Sequence, residues 1–501
     1  MKASSTPFTL LLGLSLLSQL FSPFLTKPAI ALSRDFCQLP NETVQRKEQL
    51  LAAGLRGNRT AQREYRALLD QHRTNLATCR QQSWLKNQAL WLRLYECDLK
   101  PGVLDTLLDR VVSRGYNQIY VEVFYSGKVL LPPQSNQTVW PSVVRSPEYA
   151  NRDLLAEVIQ KANLRGIDTY AWLFSMNYGY SYGTRGDRQS AIARNGRGIS
   201  SLSLGESNTN GAGETNKTFA DPYSPLAQQD YANMLQSVLQ RKPKGVLFDY
   251  IRYPKQGGGA SVASRASDLW IYGDSAKNAL INRGLNQKGR AVINHYLKTG
   301  TIQAKDVVAV DKLFPQEGVA NWQGRNTKGL TTKSSASVRA SKLRWELWLL
   351  SVAHAYQGIV DFLNRAAVQA QRQGVTPGAV FFPDANKRVG QGFDSRLQPW
   401  ERFSQNIEWH PMAYGLCADG VSCITQKVSR VRTQAPSKPI TPAIAGAWGR
   451  RTRNRHSLEQ QTYAIRQADS RVNSISHFDF SWQDPTFASA RRSCKVDFLS
   501  E

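Results

Sequence analysis

Short apolar runs alternate with amphipathic stretches along most of this chain, and this rhythm is the strongest fold signal in the sequence. Short apolar runs are typical of buried parallel strands, and the stretches between them have the spacing of covering helices. Eight such runs occur: Leu90–Tyr95, Gln118–Phe124, Ile167–Phe174, Gly245–Tyr250, Gly378–Phe382, Ile407–Tyr414, Ile440–Ala445 and Ser474–Phe480. Repeated βα units of this number predict an α/β fold of the closed (β/α)8, or TIM, barrel type. An open doubly wound sheet would need a glycine-rich turn after its first strand, and none follows Tyr95.

Two segments stand outside the repeated units. Residues 32–88 are polar with apolar residues at helical spacing, which predicts a helical hairpin ahead of a barrel at 89–495. Residues 255–340 interrupt the alternation after strand four and are rich in Gly, Ser, Lys and Arg. A long insertion at this position is typical of a lid or a substrate platform, whereas the Gly257–Gly259 run is typical of a flexible tether. Both interpretations stay open.

Residues 1–31 have the features of a secretory signal peptide. Lys2 gives a positive start, Phe8–Leu20 is apolar, and Ala29–Ala31 fits a small-residue cleavage site. The apolar run is short for a membrane helix, so export with cleavage is favoured over a retained anchor. We therefore expect a periplasmic or extracellular protein with no stable membrane span after cleavage.

Six cysteines follow the predicted cleavage site, and an even number favours disulfides in an exported chain. Six cysteines allow fifteen connectivities, among which the sequence alone does not choose. In one of them Cys37–Cys79 staples the hairpin, Cys417–Cys423 closes a short loop, and Cys97–Cys494 joins the first and last strands. The last pair requires a closed sheet, because only then are those strands neighbours. Since the cysteines and histidines do not cluster at metal-ligand spacing, we expect neither a metal nor another cofactor.

The formal net charge is +26, and removal of Lys2 and Lys27 with the signal peptide leaves +24 (26 − 2). A field of this strength attracts polyanions. The chain is predicted to be exported and has no recognisable nucleic-acid-binding motif. We therefore expect its partner to be an anionic polysaccharide or another envelope polymer, and not a nucleic acid. A generally solvated basic surface is the alternative, and the sequence does not predict an oligomeric state.

Asp249 is the first candidate for catalysis. In a (β/α)8 barrel the carboxyl ends of the strands surround the active site, and Asp249 closes the apolar fourth strand. A carboxyl group in this position is costly to bury unless it is used or paired. We therefore predict a nucleophile or base at Asp249, with a salt bridge to Arg252 as the structural alternative.

The sequence of residues 245–254, Gly-Val-Leu-Phe-Asp-Tyr-Ile-Arg-Tyr-Pro, resembles the strand-four signature of the family-10-like glycosyl hydrolases, the DUF187 group. Weaker similarities follow in the order of that family: Tyr120–Pro132 with its second strand, Ala171–Leu173 with its third, Asp221-Pro222 with the motif before its third helix, Arg344–Glu346 with a helix start, and Pro411 with Tyr414 with its sixth strand. The resemblance covers about residues 90–482. It implies an exported or envelope (β/α)8 enzyme that hydrolyses polysaccharide, including the glycan of peptidoglycan.

Glycoside hydrolysis needs two carboxyl groups, one of them protonated. Asp384, after strand five, is one candidate for the acid because neighbouring aromatic rings would raise its pKa, although it could instead cap a turn with Asn386. Glu122 on strand two is the rival acid, unless it pairs with an arginine. Asp221 is a candidate substrate-binding residue, with a helix-start role as its alternative.

Aromatic residues near the predicted strand ends are candidates for stacking on sugars. They are Trp172, Tyr250, Tyr414, Trp448 and Trp482, and Arg252 is added as a polar substrate contact. The sequence thus predicts a glycoside hydrolase of an envelope or extracellular polysaccharide, with a carboxylate pair centred on Asp249. Because the chain departs from the family at Phe124, Phe174 and Met412, a non-catalytic glycan- or envelope-binding barrel is the alternative.

Overall fold

The computed structural model describes residues 35–206, 216–417, 420–452 and 455–496, and within them the chain forms a (β/α)8 barrel. The predicted signal peptide lies outside the described residues. The barrel strands are β1 Asn87–Leu92, β2 Gln118–Tyr125, β3 Asp168–Phe174, β4 Gly245–Asp249, β5 Thr376–Phe381, β6 Glu408–Pro411, β7 Ala443–Ala445 and β8 Ser474–Phe478. The described helices of eight residues or more are α1 Asn41–Leu55, α2 Arg59–Gln82, α3 Val103–Ser113, α4 Leu154–Asn163, α5 Pro225–Leu239, α6 Asp274–Ile281, α7 Gln287–Thr299, α8 Ala304–Leu313, α9 Ala336–Arg372, α10 Ser422–Gln434, α11 Leu458–Ala468 and α12 Pro485–Arg492.

The eight strands are parallel and follow one another around a ring. β1 lies between β2 and β8, and β7 pairs with β8. Two bridges complete the ring between β6 and β7, one joining Trp409 to Ile440 and the other joining Met412 to Ala443. The predicted barrel is therefore confirmed, and its carboxyl end gathers the residues that follow each strand.

The first strand lies earlier in the chain than the predicted run Leu90–Tyr95. β1 ends at Leu92, so Arg93 follows the strand instead of lying inside it. The strand begins among polar residues that the apolar pattern does not mark. Gln88 is fully buried there because it accepts a hydrogen bond from Arg80 at 2.9 Å and donates one to the carbonyl of Arg114 at 3.0 Å.

Aromatic side chains fill the centre of the barrel. Trp91 on β1 meets Trp172 on β3 edge-on, with ring centroids 4.7 Å apart. Tyr120 on β2 meets Tyr170 at 5.4 Å and His410 at 5.5 Å between centroids. Rings of this size contribute much of the buried apolar area and prefer these edge-to-face contacts. Because the centre is packed, polar groups that act on a ligand must lie at the end of the barrel.

Buried charges bind the N-terminal hairpin of α1 and α2 to the barrel helices. Asp109 on α3 accepts hydrogen bonds from Arg165 and from the Tyr65 hydroxyl, both at 2.7 Å. Lys47 on α1 contacts the same carboxylate at 3.3 Å. The loss of one partner would leave a buried charge uncompensated, so this network fixes the position of the hairpin.

The insertion after β4 is helical and is not an extended tether. It contains α6, α7 and α8, which pack together and against α9. A short strand, Val262–Ala263, pairs with Gly392–Asp394 in the loop after β5 and connects the insertion to the barrel end. Helix α9 begins at Ala336, ahead of the Arg344–Glu346 segment that resembles a helix start of the family. A role for the insertion as a lid or substrate platform stays a prediction.

The disulfides of the described chain are Cys37–Cys79, Cys97–Cys494 and Cys417–Cys423. They are the pairs that suit a closed barrel, with Cα–Cα distances of 5.8, 5.3 and 5.5 Å respectively. Beside the second pair, Arg491 on α12 forms a buried ion pair with Asp98 at 2.6 Å, so the two ends of the barrel chain are joined twice. Within the described ranges, every helix is too short or too polar to cross a membrane.

Candidate active site

Asp249 is the last residue of β4, and its carboxyl group is buried at the carboxyl end of the barrel. Its Oδ2 accepts the indole N–H of Trp172 at 3.1 Å, and its Oδ1 accepts the backbone N–H of Tyr250 at 2.6 Å. Burial raises the pKa of Asp249 to about 6, although both N–H donors and the charge of Arg252 favour the ionised form. A carboxyl group with this pKa exchanges its proton near neutral pH, as acid–base catalysis requires.

The backbone turns sharply after Asp249. Tyr250 has a φ of 52°, in the left-handed region that costs a non-glycine residue about 1 kcal/mol or more. The backbone N–H groups of Ser175 and Met176 donate to the carbonyls of Asp249 and Tyr250, at 2.7 and 3.2 Å, and hold the turn in place. The turn therefore fixes the direction of the Asp249 side chain, and strain of this kind is typical of functional sites.

Glu122 on β2 supplies a second buried carboxyl group at the same end of the barrel. Its Oε2 is paired with Arg93, and its Oε1 has no hydrogen-bond partner among the described residues. Burial raises the pKa of Glu122 and the Arg93 guanidinium opposes this rise, while the negative charges of Asp249 and Asp479 add to it. The negative charge of Asp249 thus acts on Glu122, so the two buried carboxyl groups lie within electrostatic range of each other.

Aromatic rings surround this carboxyl pair. Trp172 lies edge-on to Phe478 of β8 with centroids 6.1 Å apart, and Phe478 stacks on Tyr414 at 5.6 Å. The pKa of the Tyr414 phenol is raised, first by burial and then by the negative charge of Asp249. The structure thus brings Trp172 and Tyr414 together with Asp249, and their contact with a substrate stays a prediction.

Two cations lie over the ring of Tyr250. The Arg252 guanidinium carbon is 4.6 Å from the ring centroid, and the Lys217 ammonium nitrogen is 5.3 Å from it. Arg252 is buried and donates to the carbonyl of Tyr253 at 2.9 Å. Both charges lower the pKa of Asp249, although burial remains the larger effect. Arg252 therefore acts on Asp249 through its charge.

Asp384 follows β5 and differs from the two buried carboxyl groups. Its side chain is 38% exposed, and its Oδ2 faces Arg396 at 3.5 Å. Burial would raise the pKa of Asp384, but Arg396 and Lys427 outweigh this effect, so the pKa is lowered. This direction is opposite to the one that we expected from the neighbouring rings. An ionised carboxylate cannot donate a proton, which removes the main reason to regard Asp384 as the acid.

Asp221 lies in the loop before α5. Its carboxylate accepts the backbone N–H groups of Tyr223 at 2.9 Å and Ala276 at 3.2 Å, which links this loop to the first turn of α6. Burial raises the pKa of Asp221 to about 6. These contacts give Asp221 a structural role at the base of the insertion, and a contact with substrate stays a prediction.

Trp448 and Trp482 are not in ring contact with Trp172 or Tyr414 in the described structure. Trp448 packs on Phe36, with ring centroids 4.9 Å apart, in the layer between the barrel wall and the N-terminal segment. Trp482 follows β8, and the Cζ of Arg455 lies over its indole ring, 5.2 Å from the ring centroid. Substrate stacking on either ring stays a prediction.

The sequence prediction omits Arg93 and Phe478, which contact the predicted site residues. The predicted first strand extends to Tyr95, which places Arg93 inside the strand, whereas the observed strand ends at Leu92. A charged residue directly after the apolar run Ala89–Leu92 is the same signal that marked Asp249. Phe478 carries no such signal, because an aromatic residue at the end of a strand is equally typical of a core.

No protein-family model and no curated protein matches the sequence. Three similar solved structures are glycoside hydrolases. The glycoside hydrolase domain of PgaB (BpsB) from Bordetella bronchiseptica is 14% identical with a TM-score of 0.47, and the match covers 81% of this chain and 98% of that one. A family 20 β-N-acetylglucosaminidase is 7% identical with a TM-score of 0.41, and the match covers 82% of this chain and 69% of that one. The family 20 β-N-acetylhexosaminidase from Streptomyces coelicolor A3(2) is 8% identical with a TM-score of 0.38, and the match covers 82% of this chain and 63% of that one. Similarity at this level carries no argument about activity, so the expected family stays a prediction.

Proposed function

We propose that this chain is a glycoside hydrolase of an envelope or extracellular polysaccharide, with Asp249 and Glu122 as its carboxyl pair. One observation carries the proposal: two buried carboxyl groups at the same end of the barrel interact, and each has a raised pKa. Such a pair holds a proton at a pH where two isolated carboxyl groups would both be ionised. One protonated and one ionised carboxyl group are what glycoside hydrolysis requires.

The proton is assigned to Asp249 and the negative charge to Glu122. The pKa of Asp249 is raised to about 6. Burial raises the pKa of Glu122 as well, but Glu122 is ion-paired with the Arg93 guanidinium, which favours its ionised form. In the reaction Asp249 protonates the glycosidic oxygen as the bond to the anomeric carbon breaks. Glu122 then attacks that carbon or deprotonates the attacking water, and the anomer released distinguishes the two routes. This assignment is the reverse of the nucleophile or base role expected for Asp249 from the sequence.

The aromatic and basic residues around the pair are proposed to hold the polysaccharide. Trp172 and Tyr414 lie beside Asp249, and Tyr250 with Arg252 forms the turn that follows it. An exported location is part of the proposal, because disulfides such as Cys37–Cys79 persist in oxidising compartments.

A glycan-release screen tests this function. The native chain is incubated with peptidoglycan glycan and with neutral and acidic polysaccharides, and new reducing ends are counted. Asp249→Asn and Glu122→Gln should each lower turnover by about 10²- to 10⁴-fold, because each removes an ionisable group and preserves its size. Asp384→Asn should cost less, and Asp70→Asn, which removes a surface carboxylate on α2, is the matched control. Full turnover by Asp249→Asn on a substrate of the native chain would contradict the assignment.

A non-catalytic glycan-binding barrel is the second candidate. The ion pair between Arg93 and Glu122 favours it, because a carboxylate that is already neutralised by a neighbour can be purely structural. This candidate predicts that a glycan binds without release of reducing ends, and that Asp249→Asn binds it as the native chain does. Release of reducing ends that depends on Asp249 excludes this candidate.

A further inference from the structure

Cations cover the aromatic rings at the rim of the carboxyl pair. Tyr250 is packed against Phe174, with centroids 4.3 Å apart, and faces Arg252 at 4.6 Å and Lys217 at 5.3 Å. A neutral sugar binds an aromatic residue by laying its C–H groups on an open ring face. With Phe174 and two cations already against its ring, Tyr250 is better suited to hold its cations than to stack on a sugar.

The same pattern recurs on two other loops of this barrel end. After β8, the Cζ of Arg455 lies over the Trp482 ring, 5.2 Å from the ring centroid. After β5, the Cζ of Arg396 lies over the Phe382 ring, 5.0 Å from the ring centroid. The Nε of Arg455 is buried and has no hydrogen-bond partner among the described residues. An aromatic ring holds a guanidinium group by its flat face, while the N–H groups of the guanidinium point outward at its edge. Those of Arg396 are bound to Asp394 at 2.8 and 2.7 Å, so Arg455 is the ligand candidate of these two arginines.

These cations lie close enough to the carboxyl site to change the pKa values of its groups. Arg252 and Lys217 lower the pKa of Asp249, and Arg252 and Arg455 lower the pKa of Tyr414, although burial outweighs them in both groups. A negatively charged ligand group would otherwise be repelled by the acidic pair. Cations placed around that pair offset the repulsion. A neutral polysaccharide would meet no such repulsion and would need no cations to offset it.

We propose that the polysaccharide bound at this site carries oxyanion groups, carboxylate or phosphate, that Lys217 and Arg455 bind them, and that the buried Arg252 adds its positive charge. A planar guanidinium group pairs with either oxyanion through two parallel N–H···O bonds. The inference rests on the proposed function for the location of the substrate, and it adds the chemical class of that substrate. It does not require that the chain cleaves what it binds.

Calorimetry on full-length Asp249→Asn tests the charge requirement without turnover. The probes are oligogalacturonate and the same oligosaccharide after reduction of its carboxyl groups, together with a phosphorylated mannan oligosaccharide and its dephosphorylated form. At least one oxyanion probe should bind about tenfold or more tightly than its neutral twin, and the difference should shrink as NaCl is raised. Whichever pair shows the difference identifies the oxyanion. Equal affinities within both pairs, or no binding of any probe, would overturn the proposal.

Charge-removing variants locate the binding. Arg455→Gln and Lys217→Gln should each weaken the preferred oxyanion probe by about 3- to 10-fold and leave its neutral twin unchanged. Arg66→Gln on α2 and Lys312→Gln on α8 remove exposed charges elsewhere and control for the overall positive field. An equal loss in these controls would attribute the binding to that field and overturn the proposal.

The two proposals fail in different ways. Selective oxyanion binding by a chain that releases no reducing ends from any glycan would leave this inference standing and remove the hydrolase. Hydrolysis of a neutral polysaccharide without charge preference would support the hydrolase and contradict the oxyanion preference.

Discussion

Trp172 on β3 donates its indole N–H to Oδ2 of Asp249 on β4 at 3.1 Å, so a side chain of one barrel strand lowers the proton affinity of the carboxyl group that ends the next strand. The donor favours the ionised form of Asp249, whereas burial favours the protonated form. The pKa of about 6 is the balance between burial and the groups that oppose it, which are the Tyr250 N–H, Arg252, Trp172 and Lys217. A change to any one of these should therefore move it in a known direction.

Trp172→Phe should raise the pKa of Asp249, because the variant loses a hydrogen bond to the ionised form. Hydrogen bonds to charged groups contribute about 1.5–3 kcal/mol, which corresponds to a pKa higher by about 1–2. The pH dependence of kcat/KM should show the limb assigned to Asp249 at higher pH. Trp91→Phe is the control, because it makes the same ring change in the barrel centre, where Trp91 donates to Ser476 instead. An unchanged profile in Trp172→Phe would contradict the role of this bond.

The stability of Asp249→Asn relative to the native chain should be greater at pH 8 than at pH 4. The folded-state pKa of about 6 lies above the ordinary value of 3.8. A raised carboxyl pKa means that the folded state loses stability as pH rises from 3.8 through 6, by about 3 kcal/mol at most. Asparagine does not titrate, so the variant escapes this loss.

Denaturant unfolding at the two pH values measures this effect. The stability difference between Asp249→Asn and the native chain should move in favour of the variant by up to about 3 kcal/mol from pH 4 to pH 8. Asp70→Asn, at an exposed position on α2, should change stability little. A variant that loses turnover and gains no stability at high pH would indicate that Asp249 is not held against its ionisation.

The barrel and its central carboxyl group could be predicted from the sequence because both depend on local patterns. Eight apolar runs specify eight strands, and Asp249 follows its run directly. The start of β1 could not be predicted in this way. Gln88 is buried there by partners from α2 and from the loop after α3, and hydropathy carries no information on such long-range hydrogen bonds.

The choice of the second carboxyl group depends on the same kind of long-range contact. From the sequence, Asp384 after strand five is the candidate for the acid, and Glu122 on strand two is its rival. Arg396 and Lys427 lower the pKa of Asp384, whereas burial raises that of Glu122 next to Asp249. Which cation meets which carboxylate is decided by how loops fold over the barrel end, and no local pattern encodes it.

Arg93→Met should raise the pKa of Glu122 further, because the guanidinium that favours its ionised form is lost. Glu122 would then lack the charge needed to assist bond cleavage, and kcat at neutral pH should fall by about tenfold or more, with partial recovery at higher pH. Arg93→Lys keeps the charge without the planar fork and should recover part of the activity. If the lysine and methionine variants behave alike across the pH range, the charge of Arg93 is not what matters.

The disulfide between Cys97 and Cys494 should stabilise the protein more than the one between Cys417 and Cys423. The first spans 397 residues of sequence and the second spans 6, and a cross-link restricts the unfolded chain more as the enclosed loop grows. Cys97→Ser/Cys494→Ser should lose about 2–5 kcal/mol of stability, and Cys417→Ser/Cys423→Ser should lose less. The ring itself should persist in the first variant, because the pairing of β1 with β8 and the ion pair of Arg491 with Asp98 still join its ends. Thermal unfolding of both variants beside the native chain measures the difference, and equal losses would show that closure of the barrel chain adds no stability of its own.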